Sequence, residues 1–90
     1  MQPHVKIYLK YFDLGEQHLI TCEICMKQGR VDGQGFDIHH IEGRGSDEIK
    51  NIMCLCRLCH ISAHKGTFSK DELQLIHNYF MTGRRKSFVK

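Results

Sequence analysis

Two C-x-x-C pairs, Cys22/Cys25 and Cys56/Cys59, and four histidines beside them, His39, His40, His60 and His64, are the residues of this 90-residue chain whose types and spacing could do chemistry. Two residues between thiolates let both sulfurs reach one ion from a tight turn, and four such sulfurs satisfy a tetrahedral structural zinc. The 30 residues between the pairs exceed the spacing of the commonest short zinc ribbons, so something sizeable is inserted there. In a domain this small a bound zinc supplies much of the folding free energy, on the order of 10 kcal/mol. The alternative, several buried thiols and no metal, sits poorly with the paired spacing. The fifth cysteine, Cys54, alternates with Cys56 along a predicted strand and is expected to face the core as a small hydrophobe.

A zinc closed by four thiolates does no chemistry, so the histidines need a separate account. His60 follows Cys59 directly, and His64 stands four residues further on. If that segment is helical, both imidazoles lie on one face and can share one ion. His39 and His40, side by side in "DIHHIEGRG", are candidates to point at the same place. A regular strand opposes this, because it sends neighbouring side chains to opposite faces. The two can converge only if the strand ends or distorts where the glycine-rich loop begins at Glu42. His4, His18 and His77 stand apart from this group and are read as surface or satisfied core residues, His77 at the edge of an apolar stripe or on its core side.

The elements that must position these residues follow from periodicity. "VKIYLKYFDL" places Val5, Tyr8, Leu9 and Phe12 at helical spacing with Gly15 as a possible C-cap, although Val5, Ile7 and Leu9 also alternate like a strand. Residues 26–35, "MKQGRVDGQG", are turn-rich and predict a loop. "FDIHHI" and "NIMCLC" predict two strands joined by a long loop, a splayed hairpin, and "RLCHISAH" predicts a helix closed by Gly66. Ser69 and Glu72 form a capping-box signature, and Leu73, Ile76 and Phe80 share one face of the helix that follows, with Gly83 as its stop. The expected order is helix, cysteine knuckle, hairpin, helix, helix.

Composition sets outer bounds. A hydrophobic fraction of 41% and a charged fraction of 26% suit a globular chain rather than a disordered one. An odd number of cysteines and no apolar leader-like opening argue against a secreted disulfide framework, so a reducing cytoplasm is expected. The longest apolar runs are far too short to span a bilayer. Net charge is only +3, but "TGRRKSFVK" gathers Arg84, Arg85, Lys86 and Lys90 without an acid. That patch suits an anionic partner, or is a solvated chain end.

The string "CEIC…DIHHI…NIMCLCRLCHISAH", from Cys22 to about Gly66, resembles the HNH endonucleases. The shared features are the histidine pair, an Asn opening the second strand, and C-x-x-C-H-x-x-x-H. Residues 1–21 and 67–90 carry no such resemblance. The resemblance implies a small α+β fold, a ββα-metal finger with a zinc knuckle, to which the periodicity adds flanking helices at about 4–14 and 70–82, all within a single domain of residues 1–90. It implies His40 as the general base, and His39, His60 and His64 as ligands of a catalytic divalent ion. Cys22, Cys25, Cys56 and Cys59 would hold structural zinc, and Asn51 would brace the loop that orients His40. Asp37 matches an acidic position whose role stays open. It also implies DNA as partner and a bacterial or phage-infected cell as setting, with homing, restriction or packaging roles equally compatible. The chain could act alone, as a homodimer, or within a larger phage or host complex.

The chemistry is coherent on its own terms. Phosphodiester cleavage needs a nucleophile made from water near neutral pH, which a neutral imidazole suits. It needs positive charge at the departing oxygen, which a divalent ion supplies. Three imidazoles suit manganese, nickel, cobalt or zinc better than magnesium, which prefers oxygen. Arg44 and Arg57 are candidates to hold the scissile phosphate or are solvated side chains. Lys50, Arg84, Arg85 and Lys86 would bind backbone phosphate without reading sequence. The rival readings are a zinc-stabilised nucleic-acid-binding module without turnover, and a redox or metal-storage protein.

Overall fold

All five residues of Ile52–Cys56 are buried, and the fold is arranged to cover that strand on both faces. The computed structural model describes residues 3–14, 19–30, 35–43 and 46–83. In chain order these form α1 (Pro3–Tyr11), β1 (Leu19–Thr21), β2 (Gln28–Arg30), β3 (Phe36–His40), a 3-10 turn (Ile49–Asn51), β4 (Ile52–Cys56), α2 (Arg57–His64) and α3 (Lys70–Met81). The protein is thus a small α+β fold with three helices and two two-stranded antiparallel sheets among the described residues. None of the helices is long and apolar enough to cross a membrane. Gly15, His18, Arg44, Arg84, Arg85, Lys86 and Lys90 lie outside the described residues.

β3 and β4 pair from Phe36 opposite Cys56 to His40 opposite Ile52, and α2 follows β4 without a gap, completing the ββα unit. One apolar cluster joins Ile52 and Cys54 to Tyr8 and Leu9 of α1, to Ile20 and to Ile38. The other joins Met53, Leu55 and Cys56 to Cys22, Ile24, Ile41 and Cys59, and to Leu73 and Ile76 of α3. Each fully buried aliphatic side chain contributes about 1.5–3 kcal/mol, so a strand buried on both faces anchors everything paired with it. Cys54 is wholly buried, as its alternation with Cys56 predicts.

Three sequence expectations are corrected. Residues 26–35 are not all loop, since Gln28–Arg30 pairs with Leu19–Thr21 as β2. Gly29 misleads there: a Cβ at this position would collide with the Phe36 ring, so the glycine permits close approach rather than marking a turn. The first helix ends at Tyr11 rather than running to Leu14. Asp13 takes a left-handed conformation, φ 55°, and the Leu14 N–H donates to the Leu9 carbonyl at 2.8 Å, closing the helix before Gly15 is reached. Asn51 closes the 3-10 turn and immediately precedes β4 rather than opening it. Elsewhere α2 covers "RLCHISAH" as expected, and both bonds of the Ser69/Glu72 capping box are made.

A buried polar cluster ties the elements together. Glu23, 1% exposed, accepts from the Tyr8 hydroxyl at 2.5 Å and from the Cys54 N–H at 3.0 Å through Oε2. Its Oε1 lies 2.5 Å from Nδ1 of His77, which is wholly buried. The Ile49 carbonyl, 2.7 Å from His77 Nε2, can only accept, so that nitrogen carries a proton. Burial raises the Glu23 carboxyl above its ordinary range against the pull of His77 and Tyr8. Burial alone would lower His77, but its bond and charge interaction with Glu23 leave it raised. One carboxylate therefore joins the knuckle, α1, β4, α3 and, through His77, the turn that ends in Asn51. Glu23→Ala would remove the partner of His77 Nδ1 and of the Tyr8 hydroxyl and is expected to cost about 3–5 kcal/mol. Ser69→Ala, which removes one helix cap, should cost about 1 kcal/mol. Denaturant unfolding of both variants checks the contrast, and equal losses would contradict the clamp.

Candidate metal centres

The cysteine cluster is built by two tight turns. After Cys22, the Met26 N–H donates back to the Cys22 carbonyl at 2.9 Å, with Met26 left-handed at φ 67°. Cys56 ends β4 and Cys59 sits in the first turn of α2. The Arg57 N–H donates to the Gly35 carbonyl at 2.6 Å, holding the start of α2 against the start of β3. The sulfurs of Cys22, Cys25, Cys56 and Cys59 all lie within 4.8 Å of one another, and those of Cys25 and Cys56 are 3.7 Å apart. Two thiolates on one tetrahedral zinc stand about 3.8 Å apart at a Zn–S distance of about 2.3 Å, so the donor set fits the ion. Burial pushes the Cys22 thiol up to about 11 and pushes Cys59 up as well. Burial would also raise Cys56, but hydrogen bonds from Cys59 and the neighbouring thiols bring it below its ordinary value. Four thiolates this close need a cation to offset their repulsion.

The second cluster is made of imidazoles. His39 on β3 faces His60 and His64 on α2, with ring centroids 5.1 and 5.3 Å away. His60 and His64, one helical turn apart, bring their Nε2 atoms to 3.0 Å. Two nitrogens bound to one ion at about 2.1 Å stand about 3 Å apart when mutually perpendicular, so this pair also fits a shared ion. Asp37 Oδ2 lies 3.0 Å from His60 Nδ1. That contact puts the His60 proton on Nδ1 and leaves Nε2 as a lone-pair donor aimed at His64. Burial, then the neighbouring His60, His64 and His40, lower the His39 pKa to about 4, so the ring is neutral at physiological pH and could offer a lone pair to an ion. His64 is exposed, which leaves the cluster open to solvent.

His40 lies apart from these three. β3 stays regular through His40, which pairs with Ile52, so the strand does not end or distort between the two histidines. The convergence expected of His39 and His40 is therefore not seen: the rings leave on opposite faces and enter different clusters. His40 Nε2 lies 2.8 Å from Asp47 Oδ1, and its ring centroid is 4.5 Å from that of His4 in α1. Asn51, buried, accepts from the Glu42 N–H at 2.8 Å and donates to the Gly43 and Ser46 carbonyls at 3.1 and 2.7 Å. These bonds lace both ends of the loop between the strands and fix the segment that carries Asp47.

Sequence reasoning missed Asp47 and His4 as neighbours of His40, and Glu23 altogether. Asp47 is seven residues along a loop and His4 lies in another helix, so no spacing rule links either to His40. Arg57 is exposed at the start of α2, beside the imidazole cluster, and Lys50, also exposed, pairs with Glu48 at 3.3 Å.

A ββα hairpin carrying four sulfurs at one end of its helix and imidazoles along that helix is a ββα-metal finger scaffold. The sequence model of the family described as HNH endonuclease matches residues 22–66, half of the chain. The chain belongs to the HNH endonuclease family, which implies nuclease-type activity and a nucleic-acid substrate. Comparison with curated proteins and with solved structures found no match. If the four sulfurs hold zinc, the ion is expected to be needed for folding. Stripping it with a strong chelator should release one zinc per chain from the sulfur site and abolish the helical far-ultraviolet signal, and zinc should restore that signal. Retention of full helicity after complete zinc removal would contradict the assignment.

Proposed function

We propose that this chain is a divalent-metal-dependent endonuclease that hydrolyses phosphodiester bonds in DNA, with His40 as general base. The observation that carries this reading is the division of labour between adjacent histidines. His39 joins an open three-imidazole cluster, while His40 stands outside it with Nε2 held by a carboxylate.

The residues divide the work as follows. Asp47 accepts from His40 Nε2–H, which leaves Nδ1 without a proton and able to take one from the attacking water. Asn51 positions His40 indirectly, by bracing the loop on which Asp47 sits. Asp37 orients His60, and β3 and α2 hold His39 and His64 in register with it. His39, His60 and His64 would hold a divalent ion, which would supply positive charge where the departing oxygen gains negative charge. Manganese, nickel, cobalt and zinc match the three nitrogen donors better than magnesium does. Cys22, Cys25, Cys56 and Cys59 would hold zinc, which would fix α2 against the hairpin and take no part in the chemistry. Arg57, Lys50 and, outside the described residues, Arg44, Arg84, Arg85 and Lys86 contact backbone phosphates. A single copy cleaves one strand at a time.

Supercoiled plasmid incubated with the zinc-loaded chain tests this, first in EDTA and then in magnesium, manganese, nickel or zinc. Metal-dependent nicking is expected from the wild type. His40→Ala should lower the rate by roughly 10²–10⁴-fold with zinc content and helicity unchanged. Asp47→Asn should give a smaller loss. Retained DNA affinity with no cleavage under any ion would favour the binding module instead. Full activity in His40→Ala would remove His40 from the role.

A further inference from the structure

His4, His40 and Asp47 each offer one ligand atom, and the three atoms lie within 4.8 Å of one another. The group sits on the opposite face of β3 from the three-imidazole cluster and shares no residue with it. Its members come from rigid parts of the fold. His4 is in the first turn of α1, which the buried Tyr8 and Leu9 pin to the hairpin. His40 is held within the β3–β4 ladder, and Asp47 follows the Ser46 carbonyl that Asn51 holds at 2.7 Å. The His40 ring is 11% exposed and Asp47 43%, so an ion can enter from solvent without opening the core.

We propose that His4, His40 and Asp47 form a second divalent transition-metal site, and that filling it silences the nuclease. Two nitrogens and one carboxylate oxygen suit zinc, nickel, cobalt or copper, and suit magnesium poorly. The inhibitory part rests on His40 being the general base; the binding part does not. A neutral imidazole that gives the lone pair of one nitrogen to a metal carries its proton on the other. Once Nε2 binds an ion, Nδ1 is protonated and can no longer accept a proton from water, while Asp47 exchanges its hydrogen bond for a metal bond. The activating and the silencing sites thus lie back to back on one strand. Activity should rise as the three-imidazole site fills and fall as the second site fills, with nickel or zinc but not with magnesium.

The test uses the full chain with zinc already on its four cysteines. Nickel or zinc is titrated in while ion binding is measured calorimetrically and the histidine ring resonances are followed by NMR. Two further ions are expected per chain. The tighter should perturb His39, His60 and His64, and the weaker His4 and His40. In His4→Gln the affinity of the weaker phase should fall at least about tenfold with the tighter phase unchanged. In parallel plasmid assays the metal concentration that half-inhibits cleavage should rise by the same factor. A single further equivalent, or a weaker phase indifferent to His4→Gln, would overturn the site. The NMR of the unmutated chain decides between these outcomes even should the variant misfold. A second ion that moves the His4 and His40 resonances in a chain cleaving nothing would keep the site and sink the nuclease reading alone. Inhibition with the same midpoint in His4→Gln would put the inhibiting ion elsewhere and overturn the proposal.

Discussion

Neighbouring side chains on a β-strand point to opposite faces, and that constraint governs what this hairpin can do. β3 stays regular through both histidines because each is paired, His39 with Met53 and His40 with Ile52. His39 is thereby delivered to α2 and its two imidazoles, and His40 to α1 and Asp47. The two histidine groups do not share one space, since the strand itself keeps them apart. A bulge at this point would merge the two sets.

Holding that strand regular requires its partner to be immovable. β4 is buried on both faces, and its Cys54 N–H is held by Glu23, which lies between Cys22 and Cys25 in the knuckle. The same carboxylate reaches His77 of α3, and His77 reaches the Ile49 carbonyl, two residues before Asn51. The cysteine knuckle, α1, β4, α3 and the turn that ends in Asn51 are therefore linked through a few buried polar contacts. Such a network is costly to break and leaves little freedom in how the two histidine groups sit relative to one another.

What the sequence showed and what it hid differ by the range of the signal. Local signals were legible. The C-x-x-C pairs, the capping box at Ser69 and Glu72, the i, i+4 pair His60 and His64, and the apolar stripe of α3 each depend on residues within a turn or two. Contacts across the fold were not. Gly29 read as a loop residue because its partner, the Phe36 ring, is seven positions further along the chain. His77 read as a stripe-edge residue, although its burial fits that stripe, because its partner Glu23 is 54 residues away. The regularity of β3 at His40 depends on pairing with β4, and the place of His4 beside His40 depends on how α1 docks. None of these has a periodicity to detect.

The most direct test of a separate imidazole metal centre is the visible absorption spectrum of cobalt added to the chain after zinc has filled the four cysteines. If the two metal centres are chemically separate, one equivalent of cobalt should give only the weak bands of nitrogen and oxygen ligation. In His60→Ala cobalt should bind at least about tenfold more weakly, leaving only the weaker site at His4, His40 and Asp47, while the zinc stays in place. Intense thiolate-to-cobalt charge-transfer bands, or cobalt binding indifferent to His60→Ala, would mean that the imidazoles of β3 and α2 do not form a metal centre of their own.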